Sequence, residues 1–309
     1  MYASPHPEPV VIAVIGGSGV YKLDFLEGAK YYDIDTPFGT PSAPICVAKV
    51  CNVFCAFLPR HGVHHQLNPS EVNYRANICA LKQLGVRYII AINAAGSLDA
   101  DYTPGDLVVC NQLVDRTVAR KSTFFENGIV AHVDFAYPMS RTLNTLTTAA
   151  LKDCFEDEAA EGTGKFKIHS SGTIVTMEGP LFSTKAESLL NKQLGGHLIG
   201  MTTSTEAKLA REAEIAYVTV AMVTDMDAWS DAPHVDTKQV LKTVAANAEK
   251  AQRYPPLIIR ALAENLFDDP AHHALANAVM TEPEGISQEV RQRLQPILGK
   301  KYPKYAPKA

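Results

Sequence analysis

The chain has 309 residues, of which 46% are hydrophobic and 20% are charged, so it can bury a substantial core. Its formal net charge of -4 excludes the long basic footprint of proteins that bind nucleic acid or an anionic membrane. No apolar run approaches the roughly 18 residues of a membrane span, and the first residues, MYASPHPEP, do not resemble a signal peptide. We therefore expect a soluble cytoplasmic protein, with entry into the nucleus left open.

Apolar runs that predict strands alternate along the chain with segments of helical periodicity, which favours a layered α/β domain. The predicted strands cover residues 11–15, 45–50, 53–58, 88–92, 107–114, 173–177 and 216–224. One helix is predicted by an apolar stripe at Val72, Ala76, Cys79, Ala80 and Leu84. Ser70 is its expected N-cap and Gly85 its expected end.

The second half of the chain contains a solvated loop at 156–165 and a helix that starts near residue 237. Pro255 and Pro256 interrupt this helix, and a second helical piece follows to residue 267. Residues 268–309 are polar and rich in proline, with one short helix candidate around 287–298. We therefore predict one domain over 1–267 and a partly helical C-terminal extension over 268–309.

The chain has six cysteines. Four of them, Cys46, Cys55, Cys79 and Cys110, lie in apolar segments typical of reduced core residues. Cys51 and Cys55 have no second pair at the spacing of a zinc site, so no metal is predicted there.

The segment VIAVIGGSGVYKL (11–23) places three glycines directly after an apolar strand. A dinucleotide fingerprint that starts at Gly17 fails, because Lys22 stands at its sixth position. A frame that starts at Gly16 fails as well, because Ser18 and Tyr21 stand where glycines belong. Two interpretations stay open: an ordinary tight turn, or a loop whose amides and serine hydroxyl bind an oxyanion.

Polar residues follow other predicted strands, and ligands of α/β sheets collect at such strand ends. Arg60 and His61 come directly after the strand 53–58, as an anion-binding pair or a plain surface pair. The small residues 93–97 permit close backbone approach to a ligand. In the segment 200–206, Thr203 and Glu206 form a capping box, which leaves Thr202 free beside a positive helix end.

The strand 216–224 delivers two carboxylates, Asp225 and Asp227, which point to the same side if the chain stays extended. Such a pair binds a metal, reads amino and ring N–H groups, or divides into one protonated and one ionised acid. Two solvated loop aspartates are the remaining alternative.

Taken together, these motifs resemble the trimeric purine nucleoside phosphorylase family, and within it the branch that cleaves 5'-methylthioadenosine. The resemblance covers roughly residues 10–250 in a single order: GGSG (16–19), DTPFG (35–39), RHG (60–62), NPSEVNYRANI (68–78), NAAGSL (93–98), PGD (104–106), DRT (115–117), EGPLFSTKAES (178–188), GMTT (200–203) and TDMDAW (224–229). It implies a single α/β domain with a mixed central sheet flanked by helices, three subunits in a ring, and no cofactor besides inorganic phosphate as co-substrate.

The resemblance also implies a role for each site residue. Phosphate would be held by Ser18, Arg60, His61, Asn93, Ala94 and Thr202. The ribose would lie against Met201 and Phe182. Adenine would contact Asp225, Asp227, Phe182 and Ala95, with Asp225 as the acid at the purine N7 and Asp227 as the acceptor of the amino group. The 5' pocket would be formed by Val240, Leu241 and, from a neighbouring subunit, His132.

Relatives that use 6-oxopurines usually carry asparagine at the position of Asp225 and glutamate at that of Ser183, so adenine is the expected base. Departures from the branch are Leu181 for arginine, Asn93 for threonine and Ala95 for cysteine, with extra residues within 235–241. They leave the breadth of accepted 5' substituents open.

Three alternatives remain beside this reading. One is a phosphorylase of broad or 6-oxopurine specificity. The second is a sugar-nucleotide transferase with a divalent metal at Asp225 and Asp227. The third is a non-catalytic nucleotide-sensing module that retains only the pocket.

Overall fold

The structure, a computed structural model, describes residues 4–17, 25–159, 165–230 and 237–308; the side chains of Glu27, residues 237–241 and Lys300 are outside the description. The described strands are β1 (Ile12–Gly16), β2 (Glu27–Tyr32), β3 (Ile45–Val50), β4 (Val53–Pro59), β5 (Tyr88–Ser97), β6 (Leu107–Cys110), β7 (Gln112–Asp115), β8 (Ile168–His169), β9 (Thr173–Thr176), β10 (Leu198–Gly200) and β11 (Ala216–Asp225). The α-helices are α1 (Tyr74–Leu84), α2 (Arg141–Cys154), α3 (Lys185–Gln193), α4 (Thr203–Glu212), α5 (Thr237–Ala251), α6 (Tyr254–Glu264) and α7 (Gln288–Leu298).

The strands form one mixed sheet, as the resemblance implies. Strand β1 pairs in parallel with β4 and β5, and β5 pairs in parallel with β11. Antiparallel pairs extend the sheet: β2 with β3, β3 with β4, β10 with β5 and β11 with β6. The parallel centre brings the carboxyl ends of β1, β4, β5 and β11 to the same edge.

Helices cover both faces of the sheet, because successive residues of the central strands point to opposite sides. In β1, Ala13 and Ile15 belong to one buried cluster, which includes residues of α1, α4 and α7. Ile12 and Val14 belong to the other cluster, with residues of α2 and α6. The near-continuous burial of these strands explains why they read as plain apolar runs.

Two local predictions are corrected, and a third is confirmed. Helix α1 is capped by Asn73, whose side chain accepts from the Ala76 N–H, and not by Ser70, whose hydroxyl donates to Glu178 instead. The run 107–114 is two strands, β6 and β7, which pair with different neighbours. The predicted end of α1 is confirmed, since Gly85 is left-handed, with φ 98°.

Prolines interrupt the helical segment after residue 237 as predicted, since α5 ends at Ala251 and α6 begins at Tyr254 with proline in its first turn. Helix α7 lies at the position predicted for the extension. It packs on α1, and Leu294 belongs to the same buried cluster as α1. The boundary at 267/268 stays a prediction. No α-helix in the described ranges combines the length and apolar composition needed to cross a bilayer.

Candidate active site

A cavity of about 720 Å³ opens at the strand-end edge of the sheet. Among the residues that line it are ten of the predicted site residues: Arg60, His61, Asn93, Ala94, Ala95, Phe182, Met201, Thr202, Asp225 and Asp227. We call the part lined by Arg60, His61, Ala94 and Thr202 the phosphate half, and the part lined by Phe182, Met201, Asp225 and Asp227 the nucleoside half. Predicted site residues up to 167 positions apart in the chain, from Arg60 to Asp227, thus converge on one cavity.

Four predicted residues are not placed in this cavity. Ser18 lies outside the described residues, and so do the side chains of Val240 and Leu241, although both belong to α5. Val244, four residues after Val240 on that helix, does line the cavity. His132 is exposed and is not among the lining residues; its backbone N–H donates to the Ala278 carbonyl.

The glycine at position 17 is required by the approach of Arg60. A Cβ atom there would lie 2.6 Å from Arg60 Nη1 and 2.6 Å from the Ile92 carbonyl oxygen. Both neighbours are held in place, so a side chain could be accommodated only by displacing the guanidinium or the backbone of β5. The glycine-rich turn therefore admits a buried arginine next to its backbone.

Arg60 is 1% exposed and forms a buried ion pair with Glu206 of α4. Its Nε donates to one Glu206 oxygen and its Nη2 donates to the other at 3.0 Å. Tyr217 also donates to this carboxylate, at 3.0 Å. Burial alone would lower the pKa of Arg60, but the charge of Glu206 outweighs it and raises the pKa.

The capping box predicted at Thr203 and Glu206 is wrong. Helix α4 starts at Thr203 with Thr202 in the N-cap position, and no side chain caps it. The Glu206 carboxylate is drawn instead to Arg60, because a buried guanidinium without a counter-ion would cost several kcal/mol, more than a cap contributes. Thr202 therefore stands at the positive end of α4, as predicted.

Asn93 connects the arginine to this helix end. Its carbonyl oxygen accepts from Arg60 Nη2 at 2.9 Å. Its amide donates to Thr203 Oγ1 at 2.7 Å and to Thr202 Oγ1 at 3.3 Å. The asparagine thus orients two residues of the phosphate half, a function that a threonine with one hydroxyl could not perform in the same way.

His61 is neutral in this environment. Its Nδ1 lies 2.9 Å from the Leu67 carbonyl oxygen, which can only accept, so Nδ1 carries the proton. Burial and the adjacent charge of Arg60 lower the pKa of His61 to about 4. The ring is stacked on His65 at 4.8 Å between centroids. Its Nε2 is consequently an acceptor and not a further donor to an anion.

The two aspartates lie in the nucleoside half, but not along an extended strand. Strand β11 ends at Asp225, and Asp227 has a left-handed backbone with φ 46°. The Asp225 carboxylate accepts from the Thr224 hydroxyl at 2.7 Å and from the Asp227 backbone N–H at 2.9 Å. The expectation of a straight chain is therefore wrong, because this turn folds Asp227 back under its neighbour.

Asp227 is 7% exposed, and its carboxylate accepts from the Ser188 hydroxyl of α3. Burial raises the pKa of Asp227, while Ser188 opposes the shift. Gly96 makes room for the pair, since a Cβ atom there would lie 3.0 Å from an Asp225 oxygen and 3.2 Å from Ile199. Gly96 belongs to β5, which continues past its predicted end at residue 92, and the small residue there admits the Asp225 carboxylate.

The nucleoside half is closed on one side by the segment 178–183 and by Met201. Gly179 has φ 71°, and a Cβ atom there would lie 2.6 Å from the Met201 sulfur. Phe182 is 55% exposed and Leu181 79% exposed. Both side chains of this rim are therefore exposed in the single chain.

The contacts of several residues that shape the site are not visible in the sequence. Glu206 has the pattern of a cap, and Ser188 belongs to the motif 178–188, but neither pattern reveals the partner of the side chain. Only long-range contacts reveal what these residues hold, so a pattern of nearest neighbours cannot find them.

Comparisons with known proteins identify the family of the chain. The model of the phosphorylase superfamily matches residues 11–262. An S-methyl-5'-thioadenosine phosphorylase of Synechocystis sp. is 46% identical, over 94% of this chain and 88% of its own length. One from Chloroflexus aurantiacus is 47% identical, over 94% and 97%. The chain belongs to the phosphorylase superfamily.

Solved structures extend the likeness to the fold. A methylthioadenosine phosphorylase from an antarctic soil metagenomic library has a TM-score of 0.88 at 41% identity, with 94% of this chain and 100% of that chain covered. The methylthioadenosine phosphorylase of Schistosoma mansoni in complex with adenine has a TM-score of 0.75 at 36% identity, with 82% and 91% covered. The predicted nucleoside phosphorylase fold is confirmed.

Proposed function

We propose that this chain catalyses the phosphorolysis of S-methyl-5'-thioadenosine to adenine and 5-methylthioribose 1-phosphate. The observation that carries the proposal is the convergence of an oxyanion-binding half and a two-carboxylate half on one cavity. A phosphorylase needs both, because the nucleophile is an anion and the leaving group is a base. The chain is then a purine nucleoside phosphorylase-type pentosyltransferase of purine and methionine salvage.

In the phosphate half, the phosphate anion would be stabilised mainly by dipoles and hydrogen-bond donors, because Glu206 already balances the charge of Arg60. The N-terminus of α4 at Thr202 and the amide of Ala94 are donors suited to an oxyanion. The Nε2 atom of neutral His61 accepts a hydrogen bond from a protonated oxygen of the phosphate. Ser18 of the glycine loop completes the set in this proposal.

The reaction forms a bond between a phosphate oxygen and the anomeric carbon while the bond from that carbon to adenine N9 breaks. The transition state has oxocarbenium character, as in glycoside hydrolysis. Asp225 donates its proton to N7, so adenine leaves as a neutral molecule. Asp227 accepts from the exocyclic amino group in this proposal, which is supported by the turn that brings its backbone N–H to the Asp225 carboxylate.

The sugar lies against Met201 and Phe182 in this proposal, with Ala95 beside the base. The 5' methylthio group occupies the side of α5, where Val244 lines the cavity and Val240 and Leu241 precede it. A homotrimer supplies His132 from a neighbouring subunit. The half-exposed ring of Phe182 is consistent with a neighbour that covers this rim.

Inorganic phosphate is the co-substrate, and the proposal includes neither a cofactor nor a metal. It also places the protein in the cytoplasm.

A broader nucleoside specificity is the alternative, and Asn93 is the observation that favours it. Its amide joins Arg60 to Thr202, at a position where the resemblance to the methylthioadenosine branch leads one to expect threonine. A 6-oxopurine, however, would place an oxygen against the carboxylate of Asp227, which repels it. Adenine nucleosides therefore remain the expected substrates.

A substrate panel tests the proposal. Purified protein is given methylthioadenosine, adenosine or inosine, each with and without phosphate and with and without a chelator. The expected result is phosphate-dependent release of adenine, unaffected by the chelator and strongest with methylthioadenosine. A preference for inosine would overturn the base assignment, and a loss of activity with the chelator would favour a metal-dependent transferase.

A further inference from the structure

Arg120 and Glu178 form an ion pair beside the cavity without lining it. The Arg120 side chain is 2% exposed, and its Nε lies 2.8 Å from a Glu178 carboxylate oxygen. Its Nη2 donates to the backbone carbonyl of the same glutamate. One guanidinium thus holds both the side chain and the backbone of Glu178, the residue at which the rim segment 178–183 begins.

The Glu178 carboxylate has three further donors. They are the Ser70 hydroxyl at 2.6 Å and the backbone N–H groups of Val118 at 2.7 Å and Ala119 at 3.2 Å. Burial would raise the pKa of Glu178, but these hydrogen bonds and Arg120 outweigh it and lower the pKa to about 2. The carboxylate is therefore ionised at any pH at which the enzyme is assayed, and the loop 118–120 is fixed to it.

The remaining nitrogen of Arg120 reaches two other segments that line the cavity. Nη1 donates to the Met201 carbonyl at 3.1 Å and lies 2.9 Å from the Tyr74 hydroxyl, which in turn donates to the Pro69 carbonyl at 2.8 Å. Three separate parts of the cavity wall, at residue 69, at 178–183 and at 201, therefore meet at Arg120. No bond of this cluster involves Arg60, Asn93 or Glu206, which hold the phosphate half through a network of their own.

We propose that Arg120 and Glu178 are positioning residues for the nucleoside half: they fix the Met201 backbone and the rim segment that carries Phe182, so that the sugar and base platforms are formed before substrate binds. The close packing of Gly179 on the Met201 sulfur transmits the constraint, since each segment is located by the other. This inference rests on the proposed function and assigns a role to residues outside the cavity. It predicts that loss of the pair weakens nucleoside binding and spares phosphate.

The test uses Glu178→Gln, which keeps the size of the side chain, and Arg120→Lys, which keeps its charge but loses the three-way fork. The matched controls are Glu158→Gln and Arg253→Lys, which alter a solvent-exposed pair of the same residue types. The expected result is a rise of about 10-fold or more in the KM for nucleoside, with the KM for phosphate within about 2-fold of wild type. The KM for nucleoside in the double variant should be no higher than in the single variants, because each change disrupts the same ion pair.

The inference would be overturned if the KM values for nucleoside and phosphate rose equally, because the pair would then stabilise the fold in general. It would also be overturned if neither KM changed. Calorimetric titration with adenine alone separates this test from the proposed function. Weaker adenine binding in both variants, but not in the controls, supports the positioning role even in an enzyme that prefers another adenine nucleoside. Failure of wild-type protein to release adenine with phosphate would count against the function only.

Discussion

The buried pair of Arg60 and Glu206 gives the sharpest quantitative prediction. Glu206→Gln keeps the shape of the side chain but leaves the charge of Arg60, which is 1% exposed, without its counter-ion. Breaking a buried ion pair from one side typically costs about 3–5 kcal/mol. In a chain of 309 residues each kcal/mol lowers Tm by about 1.5 °C, so Tm should fall by about 5 °C or more.

The same change predicts an altered response to phosphate. The uncompensated guanidinium of the variant lies at the phosphate half, so a bound anion would supply the missing negative charge. Phosphate should therefore raise the Tm of Glu206→Gln by more than it raises that of wild type, since ligand binding to the native state adds to stability. Chemical and thermal unfolding with and without phosphate measure both effects.

The control for this experiment is Glu212→Gln on the same helix. Its carboxyl accepts from the Thr123 hydroxyl and the Phe124 N–H and forms no ion pair with any arginine of the described residues. It should melt within a few degrees of wild type near neutral pH and respond normally to phosphate. A Glu206→Gln variant as stable as wild type, or one with a smaller phosphate response, would refute the reasoning that the buried charges balance each other.

Three further predictions follow from the same contacts. Asp225→Asn should lower kcat by about 10² to 10⁴, the usual contribution of a general acid, and near-normal turnover in a steady-state assay would remove Asp225 from that role. Ser188→Ala should raise the pKa of Asp227 further, because the carboxylate loses a hydrogen bond from the Ser188 hydroxyl. The acidic limb of the plot of kcat/KM against pH should then move to higher pH. An unmoved limb would show that the hydroxyl does not act on this carboxylate. Burial raises the pKa of Glu212 from 4.5 to about 7, so the folded protein binds this proton more tightly than the unfolded chain and loses stability as the pH rises from 4.5 to 7. In unfolding titrations, Glu212→Gln should flatten this dependence of the unfolding free energy on pH. An unchanged dependence would contradict the assignment.

The central strands and the strand-end site could be predicted from the sequence because buried parallel strands are continuous apolar runs with visible ends. Strand β11 is the example: its ten residues are buried up to Asp225, where the polar site begins. Glycine was similarly informative, since Gly85 ends α1 with the left-handed backbone that glycine favours.

Predictions failed where a distant partner competed with a local one. Ser70 and Glu206 each fit a capping pattern, yet Ser70 bonds to Glu178, 108 residues away, and Glu206 bonds to Arg60, 146 residues away. A buried charge gains more from an opposite charge than a helix end gains from a cap, so tertiary contacts decide. The acceptor state of His61 was equally hidden, because it depends on the Leu67 carbonyl.

The most direct test of the account is phosphorus NMR of a reaction that contains protein, methylthioadenosine and inorganic phosphate, with adenine measured in parallel. If the two halves of the cavity act on one nucleoside, a sugar 1-phosphate ester should appear mole for mole with adenine. Adenine without the ester would mean that water attacks the sugar, and would contradict the assignment of the phosphate half.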